Sequence, residues 1–298
     1  MNRVRHCERK VIFCAMLSIS LLFFSSVLFA DEELDRYVVQ LGGKRNSERD
    51  QAVEKLLFNG RKAVPLLINA LDAAPDEQKA VIVQLLLELK ASEAVPKIIT
   101  LLKSENKGLR MLSAYAVGKI HDARAMDPLL KMLETARDEE TRGAATFGLG
   151  FLGNSKAVPF LENELKNDSQ RIRIAAATAL GLLSNSAGFD EALKDTYSEN
   201  TNIRTSAVEA LGVIGDKRAA PRLKEMIDDP RLGWKSEAIL SLKQIEIRNL
   251  PEGQRLSAFK QCLFDTNKGI VGWAIQSLAD LGTPEALSLL GGKGASWK

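Results

Sequence analysis

The sequence predicts an all-α fold, a curved superhelix of about seven to eight helix pairs with a 31-residue period. Two observations carry that prediction: an opening stretch recurs at nearly constant spacing, and a glycine returns at one register of the stretch that follows it. The openings "AVPLLINAL", "AVPKIITLL", "AMDPLLKML", "AVPFLENEL", "GFDEALKDT" and "AAPRLKEMI" begin at 63, 94, 125, 157, 188 and 219, at spacings of 31 or 32. Between them run "LRMLSAYAVGKI" from 109, "TRGAATFGLGFL" from 141, "IRIAAATALGLL" from 172, "IRTSAVEALGVI" from 203 and "WKSEAILSLKQI" from 234. A helix pair this short cannot bury its apolar face alone, so stacking on its neighbours must complete the core.

Each segment has helical periodicity. In the openings Pro65, Pro96, Pro159 and Pro221 fall in a first helical turn, where a missing N–H costs nothing and the fixed φ suits the helix. In the second segments an Ala-rich face leads to Val117, Leu149, Leu180 and Leu211, followed by Gly118, Gly150, Gly181 and Gly212. Glycine inside a helix costs about 1 kcal/mol relative to alanine, so its return at one register predicts a close approach of neighbouring repeats. Fainter copies extend the array: an irregular first pair over 34–62, a late pair from 255 and 270, and half a unit from 286. The repeat domain thus spans 31–290, with units starting near 63, 94, 125, 157, 188, 219, 255 and 286. The step of 36 from 219 to 255 places about five extra residues around "RNLPEG" and predicts a kink or bulged loop. "GGKGASWK", residues 291–298, reads as a flexible tail.

The pairs "AVPKIITLL" with "LRMLSAYAVGKI", and "AAPRLKEMI" with "IRTSAVEALGVIGD", resemble HEAT-like repeats of the phycobilisome-lyase type over roughly 34–290. The resemblance implies an α-solenoid whose first helices line a convex side and whose second helices line a concave one, working as a scaffold that binds a protein or peptide. It also brings in relatives that are enzymes or chaperone-like lyases for bilin attachment, and deoxyhypusine hydroxylases that hold a di-iron centre through repeated His-Glu pairs.

The N-terminus is of a different kind. Residues 1–30 carry Arg3, Arg5, Arg9 and Lys10, then the apolar "VIFCAMLSISLLFFSSVLFA", then the acidic "DEEL". This pattern reads as a secretory signal peptide cut after Ala30, so the chain is expected to be exported to the periplasm or secreted. Leu28 is larger than the residue usually preferred there, and an uncleaved membrane anchor is the other reading. Removing 1–30 takes those four cations and Glu8 from 41 basic and 38 acidic residues, leaving 37 of each. A neutral chain lacks the net basic face that phosphate neutralisation requires, which argues against nucleic acid as a partner. The cut also removes Cys7 and Cys14, leaving Cys262 without a partner for an internal disulfide.

Little in the sequence supports catalysis. "GLGFLG" at 148–153 satisfies a dinucleotide-loop pattern, but no strand precedes it, and Gly148, Gly150 and Gly153 each have ordinary places in the repeat. Beyond residue 30 only His121 remains among histidines, followed by Asp122 rather than Glu. A di-iron site needs several imidazoles and carboxylates, so no metal and no cofactor are expected. His121 reads as a solvated turn residue, and Cys262 as a small core residue in the column of Leu101, Met132 and Met226. Lys79, Arg110, Arg142, Arg173, Arg204 and Lys235 form a basic column. It reads as a structural ladder bonding carbonyls or carboxylates of the adjoining repeat, with an anion-binding ladder as the alternative.

The functional clue is a departure from the family pattern. Three positions four residues apart on the second helix are polar in the consensus and should face the groove. Here they hold Met111, Tyr115 and Lys119; Gly143, Phe147 and Phe151; Ile174, Thr178 and Leu182; Thr205, Glu209 and Val213; Ser236, Leu240 and Gln244. The flanking sets, Ala80, Gln84 and Glu88 and then Gly272, Gln276 and Asp280, are small or polar. Met111, Tyr115, Phe147, Phe151, Ile174, Leu182, Val213 and Leu240 are therefore candidate partner-binding residues. The other reading curls them inward as core. A structural assembly or envelope-anchoring module, and a lyase- or hydroxylase-like enzyme, stand as the alternative functions.

Overall fold

A computed structural model describes residues 32–43, 45–229 and 235–291. The expected signal peptide, residues 1–30, and residues 292–298 of the expected tail lie outside the described residues, as does Trp234. Every helix fits the alternating plan: α1 (32–40), α2 (Asn46–Asn59), α3 (Val64–Ala73), α4 (Asp76–Glu88), α5 (Val95–Thr100), α6 (Lys107–Lys119), α7 (Met126–Thr135), α8 (Glu139–Leu152), α9 (Val158–Glu164), α10 (Gln170–Leu182), α11 (Phe189–Asp195), α12 (Thr201–Ile214), α13 (Ala220–Asp228), α14 (Lys235–Arg248), α15 (Glu252–Cys262), α16 (Lys268–Leu281) and α17 (Pro284–Gly291). No strand occurs among the described residues.

Local chemistry fixes the helix starts. Pro65, Pro96, Pro159 and Pro221 occupy the first turns of α3, α5, α9 and α13. The second helices begin on side-chain caps: Asp138 accepts from the Thr141 N–H at 2.8 Å, Ser169 from Ile172, and Asn200 from Asn202 at 2.9 Å. Such caps satisfy backbone donors that have no partner within the helix. Gly153 and Gly215 end α8 and α12 in the left-handed region, at φ +74° and +76°.

The chain divides between Ala116 and Val117 into two compact units. In the first, Leu56, Leu67, Ile82 and Leu86 are fully buried among α2, α3 and α4. In the second, each second helix packs along the next, α8 on α10, α10 on α12 and α12 on α14. The glycine column is the point of closest approach. A Cβ on Gly118 would lie 2.5 Å from the Gly148 carbonyl oxygen, and one on Gly150 would lie 2.7 Å from Ala179 Cα. No side chain fits there, which accounts for a residue that the helix itself disfavours.

At "RNLPEG", where a kink or bulged loop is expected, the chain makes a short turn between two helices rather than a long bulge. Glu246 stands where Gly215 ends α12, so α14 runs on to Arg248, and α15 begins at Glu252 directly after Pro251. The extra residues are absorbed as helix on both sides of a short turn. Asn249 Nδ2 donates to the Ile245 and Gly215 carbonyls, each at 2.8 Å, and Arg255 donates to the Arg248 and Leu250 carbonyls. Cys262 is buried in the cluster of Phe259, Ile270, Ala274 and Leu278, and burial pushes its thiol pKa up. His121 is exposed in its turn at φ +58°. Asp122 caps the next turn, where its hydrogen bond from Arg124 holds its carboxyl below the usual range.

Candidate functional site

The face built by the second helices of the second unit carries a pocket of about 430 Å³. Phe147 of α8 forms one wall, Arg171, Ala175 and Thr178 of α10 cross the middle, and Asn202, Ser206 and Glu209 of α12 form the far wall. Three successive repeats thus contribute side chains to one space. The arrangement grades from apolar at Phe147 and Ala175, through the Thr178 and Ser206 hydroxyls, to the Glu209 carboxylate.

The wall positions on α12 are spaced four and three apart, whereas the stripe read from the sequence was spaced four and four. At 3.6 residues per turn each step of four drifts about 40° around the helix, so a run of two such steps rotates off the face. Ile174, at the start of its stripe, has only 2% of its surface exposed and packs with Ile203, Ala207 and Val208 in the core. Its assignment as an exposed contact is corrected: it contributes to the pocket floor from between α10 and α12. Leu182, Val213 and Leu240 are half-buried. Arg171, Asn202 and Ser206, one register over, are exposed. Their signal in the sequence was their helical spacing relative to Thr178 and Glu209, not their type.

Phe147 and Phe151 have different surroundings. Both are half-buried, but the Lys119 ammonium lies 5.2 Å from the centroid of the Phe151 ring and 3.9 Å from Asp280 Oδ2 of α16. Phe147 instead borders the pocket. In the first unit Met111 and Tyr115 are exposed, at 36% and 39%.

The four arginines of the basic column are engaged in structural hydrogen bonds. Arg110 Nη1 donates to the Ser104 carbonyl at 2.7 Å, closing the turn before its own helix. Arg142 Nη1 donates to Glu164 Oε1 at 2.8 Å, reaching the first helix of the next repeat. Arg173 does both, donating to the Asn167 and Asp168 carbonyls and to the Glu191 carboxylate. Arg204 Nη1 donates to the Ser198 carbonyl. Lys79 is half-buried and Lys235 exposed. A planar, always-charged guanidinium suits a site that needs two or three fixed donors at once.

Charge at the pocket is one-sided. Arg171 lies 3.4 Å from Glu139 Oε2 on α8 and is balanced by it. Glu209 is exposed as a residue, yet its carboxylate sits where burial pushes its pKa up, and the charge of Glu237 on α14 pushes it further. Glu237 Oε2 is buried with no hydrogen-bond partner among the described residues. Within the described residues no group of three or more His, Cys, Asp or Glu side chains is placed to hold a metal ion, and no helix is long and apolar enough to cross a membrane.

The family profile of HEAT repeats matches residues 64–150, 126–197 and 158–243, covering more than half of the chain. The chain is a HEAT-repeat protein. Among solved structures it is similar to the complex of CpcE and CpcF of phycocyanin lyase from Nostoc sp. PCC7120, at 20% identity and a TM-score of 0.56, over 80% of this chain and 93% of that one. Similarity to E. coli YibA has a TM-score of 0.47 at 18% identity, covering 83% and 91% of the two chains. Human deoxyhypusine hydroxylase in complex with glycerol gives 0.32 at 19%, covering 74% and 98%. At these identities the likeness concerns the fold of HEAT repeats. No curated protein sequence matches.

Proposed function

We propose that this HEAT-repeat chain is an exported, non-catalytic scaffold that binds a protein or peptide partner along its second-helix face, with Phe147 at the centre of the contact. The observation that carries the reading is the pocket beside Phe147, walled by three successive repeats. A mostly preformed space with an aromatic wall and a few polar groups is the usual build of a recognition site, and an extended or amphipathic segment fits a face made of parallel helices. The pairing of CpcE with CpcF is an instance of HEAT-like chains engaging protein partners. Export rests on the basic start, apolar run and Ala30 of the N-terminal segment.

The test is a pull-down from envelope extract with the chain and its Phe147→Ala variant. The reading requires a partner retained by the first and lost by the second, with both melting alike. Equal retention by the two would overturn it. N-terminal sequencing of the exported protein checks the cut after Ala30.

A further inference from the structure

We propose that the pocket takes a basic side chain, the ammonium of a lysine or the guanidinium of an arginine, presented by an extended segment of the bound partner. This inference rests on the groove-binding reading and names the chemistry of what enters. Three observations lead to it. The pocket runs from the Phe147 ring past Ala175 to Glu209, an apolar wall ending in a carboxylate. Long basic side chains have that same division, an aliphatic stem with a charged head, and lay the stem on apolar surface while the head reaches a polar end.

The second observation is the imbalance of charge. Arg171, the cation on the pocket wall, is matched by Glu139, while Glu209 has a second carboxylate, Glu237, as its charged neighbour. The third is Glu237 itself, whose Oε2 is buried without a donor. Buried carboxylate oxygens are ordinarily satisfied, and one left without a donor beside another carboxylate is costly. An ammonium or guanidinium entering the pocket gives donors to Glu209, which lines it, and positive charge beside Glu237, which stands next to Glu209 outside the lining. A glutamine supplies donors without the charge, and a glutamate supplies neither.

The experiment uses the full chain and three fluorescein-labelled extended peptides, alternating leucine with lysine, with glutamine or with glutamate. Fluorescence anisotropy is expected to show the lysine peptide binding, the glutamine peptide about tenfold weaker, and the glutamate peptide not at all. Glu209→Gln and Glu237→Gln should each bring the lysine peptide toward the glutamine one. Both variants should stay folded, since each removes one of two neighbouring like charges. Indistinguishable affinities for the lysine and glutamine peptides, including no binding of either, would overturn the proposal. If both peptides bind alike and Phe147→Ala abolishes both, the groove reading survives and only the cationic occupant is lost. If Phe147→Ala has no effect on a peptide that does bind, the groove reading itself fails. Full displacement of the lysine peptide by millimolar butylamine would point to a free amine as occupant, and would overturn the assignment to a partner's side chain.

Discussion

Gly150 and Gly272 are both interior helical glycines of this chain, and their surroundings are opposite. Gly150 on α8 faces the backbone of α10, with Ala179 Cα 2.7 Å from where its Cβ would be. Gly272 on α16 has nothing within 4 Å of that point. The difference follows the glycine column, which continues through Gly181 and Gly212 but holds Lys243 in α14 and Ala279 in α16. Where the column is glycine, second helices press backbone to backbone. The α14–α16 interface is sparser than the α8–α10, α10–α12 and α12–α14 interfaces before it.

The largest test of this contrast applies one substitution in both places. Gly150→Ala is expected to cost about 2 kcal/mol, because overpacking a tight helix contact outweighs the gain in helix propensity. Gly272→Ala should instead stabilise, by up to about 1 kcal/mol, since only the propensity term remains. Urea denaturation of both variants measures the two signs, and equal effects would remove the packing explanation.

The ladder provides the next comparison. Arg142→Ala leaves the buried Glu164 carboxylate without its guanidinium and should cost about 2 kcal/mol in the same assay, a typical loss for a hydrogen bond to a charged group. Lys235→Ala, at an exposed position of the same column, should stay within about 0.5 kcal/mol. A large loss at Lys235 would show that the column works through its charge alone.

The smallest effect concerns the carboxylate that shares a column with Glu164. Asp195 is only 2% exposed, and burial pushes its pKa up. Glu191 adds to the shift, while the Gln170 hydrogen bond, Arg173 and Lys194 oppose it. Because the folded pKa is raised above the unfolded one, the cost of the ionised form is full above the folded pKa and is lost as pH falls from there to the unfolded pKa. Asp195→Asn should therefore raise the melting midpoint at pH 7, by about 1 kcal/mol of stability, and lose that gain in acid. A gain that persists in acid would mean the charge is not its source.

What the sequence made legible were features repeated in register. Proline in the first turns, glycine at the close approaches and arginine along the ladder each recur every 31 or 32 residues, so a single physical need is written several times. Features that occur once were harder to read. The extension of α14 into "RNLPEG" depended on Glu246 replacing a terminating glycine, a missing signal rather than a present one. The partners of Arg142 and Arg173, Glu164 and Glu191, sit at different positions of their repeats, so no column marked them. The pocket was half legible: Phe147, Thr178 and Glu209 shared a column, but Asn202 and Ser206 were not among the α12 positions of the stripe.

The end of the glycine column also sets the order in which the chain loosens. In a linear array each repeat is held by its own stability and by the coupling to its neighbours, so the weakest coupling defines where cooperativity breaks. Within the second unit that joint lies between α14 and α16. Amide protons of α16 should exchange with deuterium well before those of α10, as a separate opening unit. Since Asp280 of α16 is the carboxylate that reaches Lys119, each such opening breaks that ion pair between distant repeats.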